Sequence, residues 1–102
     1  MPRFVALFST PDDAAAFDAH YRDVHLPIVR RWPNLRDVRL ARTAGVPGGP
    51  PPPYLMAEMV FDTQADLDEA LRSDAGAESA RDLRNFAGAG VQLFVAADEA
   101  DA

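Results

Sequence analysis

The sequence predicts an α+β fold in the order βαββαβ. Three observations carry this. Four short runs rich in β-formers alternate with two helical stretches in that order. At 102 residues the chain suits one small domain, residues 1–102, and is too short for a dinucleotide-binding fold or a (β/α)8 barrel. The strands are apolar on both faces, so helices on one side of the sheet leave a second apolar face to bury.

Phe4 to Ser9 reads as the first strand. Thr10-Pro11-Asp12-Asp13 announces a helix, with Thr10 as cap, Pro11 at the first position and two carboxylates at the positive end of the dipole. Phe17, Tyr21, Val24, Ile28 and Trp32 recur at helical spacing. Pro27 removes an N–H from that helix, so it kinks or restarts near His25-Leu26-Pro27. Pro33-Asn34 closes it, because Asn tolerates a left-handed C-terminal position.

Leu35 to Thr43 alternates as the second strand, with Val38, Leu40 and Arg42 on one side and Arg39, Ala41 and Thr43 on the other. Gly45 to Pro53 is a stiff Gly/Pro-rich connection. Its Pro47-x-x-Pro50 spacing reads as a rigid hairpin loop rather than a ligand for an aromatic groove, since no basic residue flanks it. Tyr54 to Phe61 is the third strand. Asp62-Thr63 caps a second helix with Leu67, Ala70 and Leu71 inward. Ser73 to Gly76 breaks that helix, and a further segment carries Leu83, Phe86 and Ala87. Gly88 and Gly90 flank the turn into the fourth strand, Val91 to Val95. The core runs over 3–96, and the polar tail 97–102 reads as frayed.

This order is the ferredoxin-like arrangement, a four-stranded antiparallel sheet with its helices on one face. In strand three Leu55, Ala57, Met59 and Phe61 form one face, and Tyr54, Met56 and Val60 surround Glu58 on the other. In strand one Val5 and Leu7 oppose Phe4, Ala6 and Phe8. The bare apolar face predicts a homodimer packed sheet against sheet, with a water-poor cavity behind or between the sheets.

Composition excludes several functions. The hydrophobic fraction of 48% is too high for a disordered chain. There is no Cys, which removes disulfides, thiolate nucleophiles and most zinc sites. All ten basic residues are Arg, so Schiff-base chemistry on Lys is excluded. A net charge of −6 without a basic stripe argues against nucleic acid and anionic membrane. A strand-like run follows Met1-Pro2-Arg3 directly, so no secretory leader is expected and the location is expected to be cytoplasmic.

The remaining acids and bases are His20, His25, the tyrosines and the carboxylates. On an unbroken helix His20 and His25 stand about 140° apart, so no metal pair is expected and His20 falls on the surface. Asp18 and Asp23 read as a solvated helix face. His25 lies four residues after Tyr21 on the apolar side, just before Pro27. It is either a catalytic acid/base at a pocket mouth or a kink residue bonded to free backbone carbonyls. Glu58 interrupts an apolar face and needs a partner, for which Arg39 and Arg42 are candidates. It is then an interface ion pair or a pocket acid. Tyr21, Tyr54, Glu58 and Gln92 are the candidate ligand contacts, and Trp32, Phe4, Phe8 and Phe94 are expected in the core.

The run Phe17-x3-Tyr21-x3-His25-x-Pro27, ahead of Pro33-Asn34-Leu35, resembles the EthD family, as does a third strand from Tyr54 ending in Phe61-Asp62. The resemblance covers about residues 3 to 96, with Asn34 where the family often has Gly and a longer, more Pro-rich loop at 45–53. It implies a dimeric α+β barrel, in which two ferredoxin-like sheets close on each other, and places His25 in a functional pocket. Relatives of that fold include metal-free monooxygenases, isomerases and cyclases, and the fold does not fix the reaction.

Two functions follow as expectations. One is a cofactor-independent enzyme acting on a small, mostly apolar oxygenated metabolite, with His25 as acid/base. The other is a non-catalytic small-molecule binding or accessory protein using the same pocket. Haem handling is disfavoured, because haem-degrading relatives take their ligand from the second helix and no His follows His25.

Overall fold

The structure, a computed structural model, describes residues 1–99. The elements in order are β1 (Arg3–Phe8), α1 (Ala14–His20), a π-turn (Tyr21–His25), α2 (Leu26–Val29), β2 (Asp37–Ala41), β3 (Leu55–Val60), α3 (Gln64–Arg72), α4 (Asp74–Phe86) and β4 (Val91–Ala96). The sheet is antiparallel throughout, in the order β2-β3-β1-β4. This is the ferredoxin-like α+β arrangement expected from the sequence.

The two central strands are the most apolar. Phe4, Ala6 and Phe8 of β1 stand beside Met59, Ala57 and Leu55 of β3. Helices cover that face, and Phe8, Phe61, Leu67 and Val29 are almost completely enclosed. Enclosing a side chain of this size contributes roughly 1.5–3 kcal/mol. Phe8 meets Phe17 and Tyr21 edge-on at 5.4 and 5.6 Å, which fixes the angle of α1 on the sheet.

The opposite face carries Val5 and Leu7 of β1, Met56, Glu58 and Val60 of β3, and Gln92 and Phe94 of β4, as the strand register requires. No helix covers it. Phe94 is 39% exposed on this face rather than in the core, because β4 is an edge strand and its outward side has no neighbour.

Several boundaries differ from the sequence expectation. The first helix is capped by Asp13, whose carboxylate accepts from the Ala16 amide at 3.0 Å, and not by Thr10. Asp13 precedes three alanines, so the best cap meets the best helix formers there. The β2 ladder is shorter than Leu35–Thr43, because Pro-rich chain follows on one side and the left-handed Asn34, φ 64°, precedes on the other. Tyr54 lies before β3 and points to the helix side, not beside Glu58, with its ring 5.4 Å from Phe17. Leu71 is 37% exposed, since α3 ends one residue later and turns away.

The break between α3 and α4 is a single residue. Ser73 ends α3, and its hydroxyl accepts from the Gly76 amide to start α4. A Cβ on Gly76 would lie 2.3 Å from the Ala70 carbonyl oxygen, so only glycine permits this close approach. In the tail, the Asp98 carboxylate accepts from Arg3 Nη1 at 2.9 Å, which ties residue 98 to β1. Residues 100–102 of the tail expected to fray lie outside the described residues.

Candidate functional site

Pro27 shapes the site through what it lacks. Its ring crowds the carbonyl four residues back and it has no N–H to donate. The preceding turn widens, and the Leu26 amide bonds to the Tyr21 carbonyl in a five-residue step. Residues five apart then share a face. His20 and His25, expected about 140° apart on a regular helix, meet a single carboxylate.

That carboxylate is Asp82 of α4. His25 Nδ1 lies 2.9 Å from its Oδ2. His20 Nε2 lies 2.9 Å from Oδ1 and 3.0 Å from Oδ2, and Asn85 Nδ2 donates to Oδ1 at 2.9 Å. Phe86 packs against both imidazoles, with centroids 5.0 Å from His20 and 4.7 Å from His25. His20 is therefore no simple surface residue, and His25 bonds to a side-chain carboxylate, not to backbone carbonyls at the kink.

Burial of Asp82 by itself raises its pKa, but the hydrogen bonds from Asn85, His20 and His25 outweigh it and hold the carboxyl below its usual range. An ionised carboxylate only accepts, so the proton of His25 sits on Nδ1. Burial lowers the pKa of His25 from 6.5, against the opposing pull of Asp82, and the ring is neutral at pH 7. Its Nε2 is then an acceptor. Nε2 makes no hydrogen bond among the described residues, and no side-chain polar atom there is both enclosed and unpartnered. Nε2 thus opens onto accessible space.

His25 lines a cavity of about 130 Å³ between sheet and helices. Phe4, Phe8, Trp32, Met59 and Leu83 make its wall apolar. Trp32 Nε1 donates to Ser79 Oγ at 3.1 Å, and Ser79 donates on to the Gly76 carbonyl at 2.8 Å. The other polar groups near the wall are thereby occupied.

Tyr21 sits on the other side of the π-turn, in an open groove of about 430 Å³ shared with Asp18, Arg22, Leu26 and Arg42. Burial pushes its pKa up to about 12, so it stays a neutral phenol. Tyr54 Oη donates to Asp18 at 3.0 Å, and Arg42 bonds to the same carboxylate while covering the Tyr54 ring at 4.5 Å. Asp18 is thus a bonded centre and not merely solvated.

Glu58 and Gln92 lie on the bare face, across the sheet from His25. Glu58 faces Arg3 Nε at 3.6 Å, whereas Arg39, opposite in the register, bonds to Asp37 and Arg42 is held by Asp18. The pairing expected with Arg39 or Arg42 is replaced because Arg3 reaches diagonally across β1 while the other two have nearer carboxylates. The structure therefore divides the sequence candidates among three places.

Asp82 was not among those candidates. Its signal is present: it lies four residues before Phe86, and so shares the inward stripe of α4. A carboxylate on such a stripe needs a partner.

No helix of the described residues is long and apolar enough to cross a membrane. The chain is similar to several known proteins. It is 32% identical over 99 residues to an uncharacterized 11.0 kDa protein in the thcB-thcC intergenic region of Rhodococcus erythropolis, covering 97% of this chain and 96% of that one. An ethyl tert-butyl ether D (EthD) family protein of Bacillus halodurans superposes with a TM-score of 0.87 at 38% identity, over 97% of this chain and 99% of that one. At the level of fold alone it is similar to SnoaB, a cofactor-independent oxygenase from Streptomyces nogalater (TM-score 0.69, 16% identity, 95% and 91% covered). A dimeric ferredoxin-like protein from Thermobifida fusca is similar to the same degree (TM-score 0.69, 11% identity, 95% and 90% covered). The EthD domain model matches residues 9–90, which include the π-turn, His25 and Asp82. On that match, the chain belongs to the EthD family.

Proposed function

We propose that this chain forms a homodimer and binds a small, mostly apolar oxygenated molecule in the cavity behind each sheet, which it transforms by cofactor-independent acid/base or oxygenase-type chemistry at His25. One observation carries the reading: a neutral imidazole, oriented by Asp82 through Nδ1, lines an otherwise apolar cavity with Nε2 unoccupied. A neighbouring group that fixes the tautomer and orientation of an imidazole is a recurring feature of catalytic bases.

The apolar wall favours a hydrocarbon body, and the lone acceptor favours one hydroxyl or acidic C–H. In the proton-transfer step the ligand's O–H or C–H bond breaks and an Nε2–H bond forms. The imidazolium faces the Asp82 carboxylate, and the ligand keeps the electron pair as an anion. Such an anion suits isomerisation or cyclisation. If electron-rich enough, it also reacts with oxygen unaided, and SnoaB, a cofactor-independent oxygenase, has this fold.

The helix-free face, where Leu7 and Met56 are half-buried and Phe94 is exposed, supports a sheet-to-sheet dimer, as do dimeric proteins of the same fold. Glu58 and Gln92 then belong to that contact, and Tyr21 and Tyr54 to the outer groove.

Trp32 is the one tryptophan and lines the cavity, so its fluorescence reports occupancy. Titration with p-cresol is expected to give a saturable change, and toluene a weaker one. His25→Ala is expected to remove the difference between them. If neither probe saturates, the cavity reading fails. If His25→Ala leaves the preference for p-cresol intact, His25 is not the acceptor.

A further inference from the structure

We infer that His20, through the Asp82 carboxylate it shares with His25, sets how strongly His25 holds a proton, so that protonation of the outer imidazole weakens the base in the cavity. This deepens the reading of His25 as the cavity base and rests on it. His20 is a positioning residue: it touches Asp82 and not the cavity.

The geometry is one anion between two imidazoles. Oδ2 of Asp82 lies 3.0 Å from His20 Nε2 and 2.9 Å from His25 Nδ1. The two rings differ in access. The His20 side chain is 26% exposed and the His25 side chain 7%. With His20 neutral, the carboxylate charge is available to an imidazolium at His25. With His20 protonated, that charge is already compensated, and a second cation at His25 would stand against the first across Phe86. A like charge at such range disfavours the charged form.

Other charged groups lie close by. Asp12, Asp13 and Arg84 share a surface groove with His20. Glu78 and Arg81 line a shallow dent with Asp82. The Tyr21 ring is 5.4 Å from the His25 ring and stays neutral. From β1, Phe8 packs on His25 and carries no charge. Among the described residues, Asp82 is the carboxylate bonded to both rings.

The test is an NMR pH titration of the two histidines on the full, ligand-free chain. His20→Gln keeps an amide donor toward Asp82 and removes the outer imidazole. The His25 midpoint should then rise by roughly 0.5 in pH or more, about threefold in proton affinity. Asp82→Asn should lower the midpoint. An unchanged His25 midpoint in His20→Gln overturns the proposal, and because His20 is partly exposed that variant decides the matter even if Asp82→Asn does not fold. The titration contains no ligand. Coupling without p-cresol binding sinks only the cavity reading, and binding without coupling sinks only this one.

Discussion

His25 Nδ1 and Asp82 Oδ2 stand 2.9 Å apart across 57 residues of chain. The bond joins the π-turn to α4, and so crosses the seam between two helical segments that pack on the same face of the sheet. It orients the imidazole and holds two elements together.

Asp82→Asn therefore tests stability as well as chemistry. Asparagine offers one carbonyl oxygen where two imidazoles and Asn85 now donate. Leaving a buried donor without its acceptor costs about 1–3 kcal/mol. Urea denaturation is expected to show a loss of that size, and retention of full stability would show the bonds to Asp82 to be structurally idle.

The pH dependence of stability follows from the sign of each shift. Burial lowers the folded pKa of His25, so below 6.5 the unfolded chain takes up the proton first. Stability then rises with pH through the window from the folded midpoint to about 6.5 and is level above it, with a slope of at most about 1.4 kcal/mol per pH unit for one proton. The pKa of Asp82 is also lowered, and its contribution is present above 3.8 and lost as pH falls through its folded value. Thermal melts between pH 7 and 5 should be flatter for His25→Gln than for the unsubstituted chain. Equal slopes would assign the acid sensitivity elsewhere.

Gly76→Ala places a methyl 2.3 Å from the Ala70 carbonyl oxygen and 2.9 Å from that of Leu71, both backbone atoms that cannot swing aside. The α3–α4 junction must open, at a cost of about 1–3 kcal/mol typical of overpacking. Since Gly76 also lines the cavity, Trp32 emission should shift in the same variant. A melt within 1 °C of the unsubstituted chain, with unchanged emission, would contradict the close approach.

Phe94→Glu puts a carboxylate on the bare face, in the same sheet as Glu58. Sedimentation is expected to show a dimer for the unsubstituted chain and at least a tenfold weaker association for the variant, about 1.4 kcal/mol. Identical association in both would remove this face from the interface.

The fold was legible because its signals are local. Short apolar runs rich in β-formers mark Arg3–Phe8 and Leu55–Val60, Asn34 accepts a left-handed turn, and Ser73 stops one helix and starts the next. Each needs only neighbours within a few residues. His25 also stood out, by its place on an apolar stripe beside a proline. The partner of His25 was less legible. Pro27 announces an irregular turn but not its winding, and the widening that turns His20 onto the face of His25 depends on how the helix settles against Phe8 and Phe86. Asp82 lies 57 residues from His25, and helical spacing gives its stripe but not what faces it. Likewise Arg3 reaches Glu58 first only because β1, not β2, sets it diagonally across. Local propensity and hydrophobic period determined the elements and their order; which charged groups meet was decided by packing across distant segments, where a turn of winding or a strand's register exchanges one partner for another.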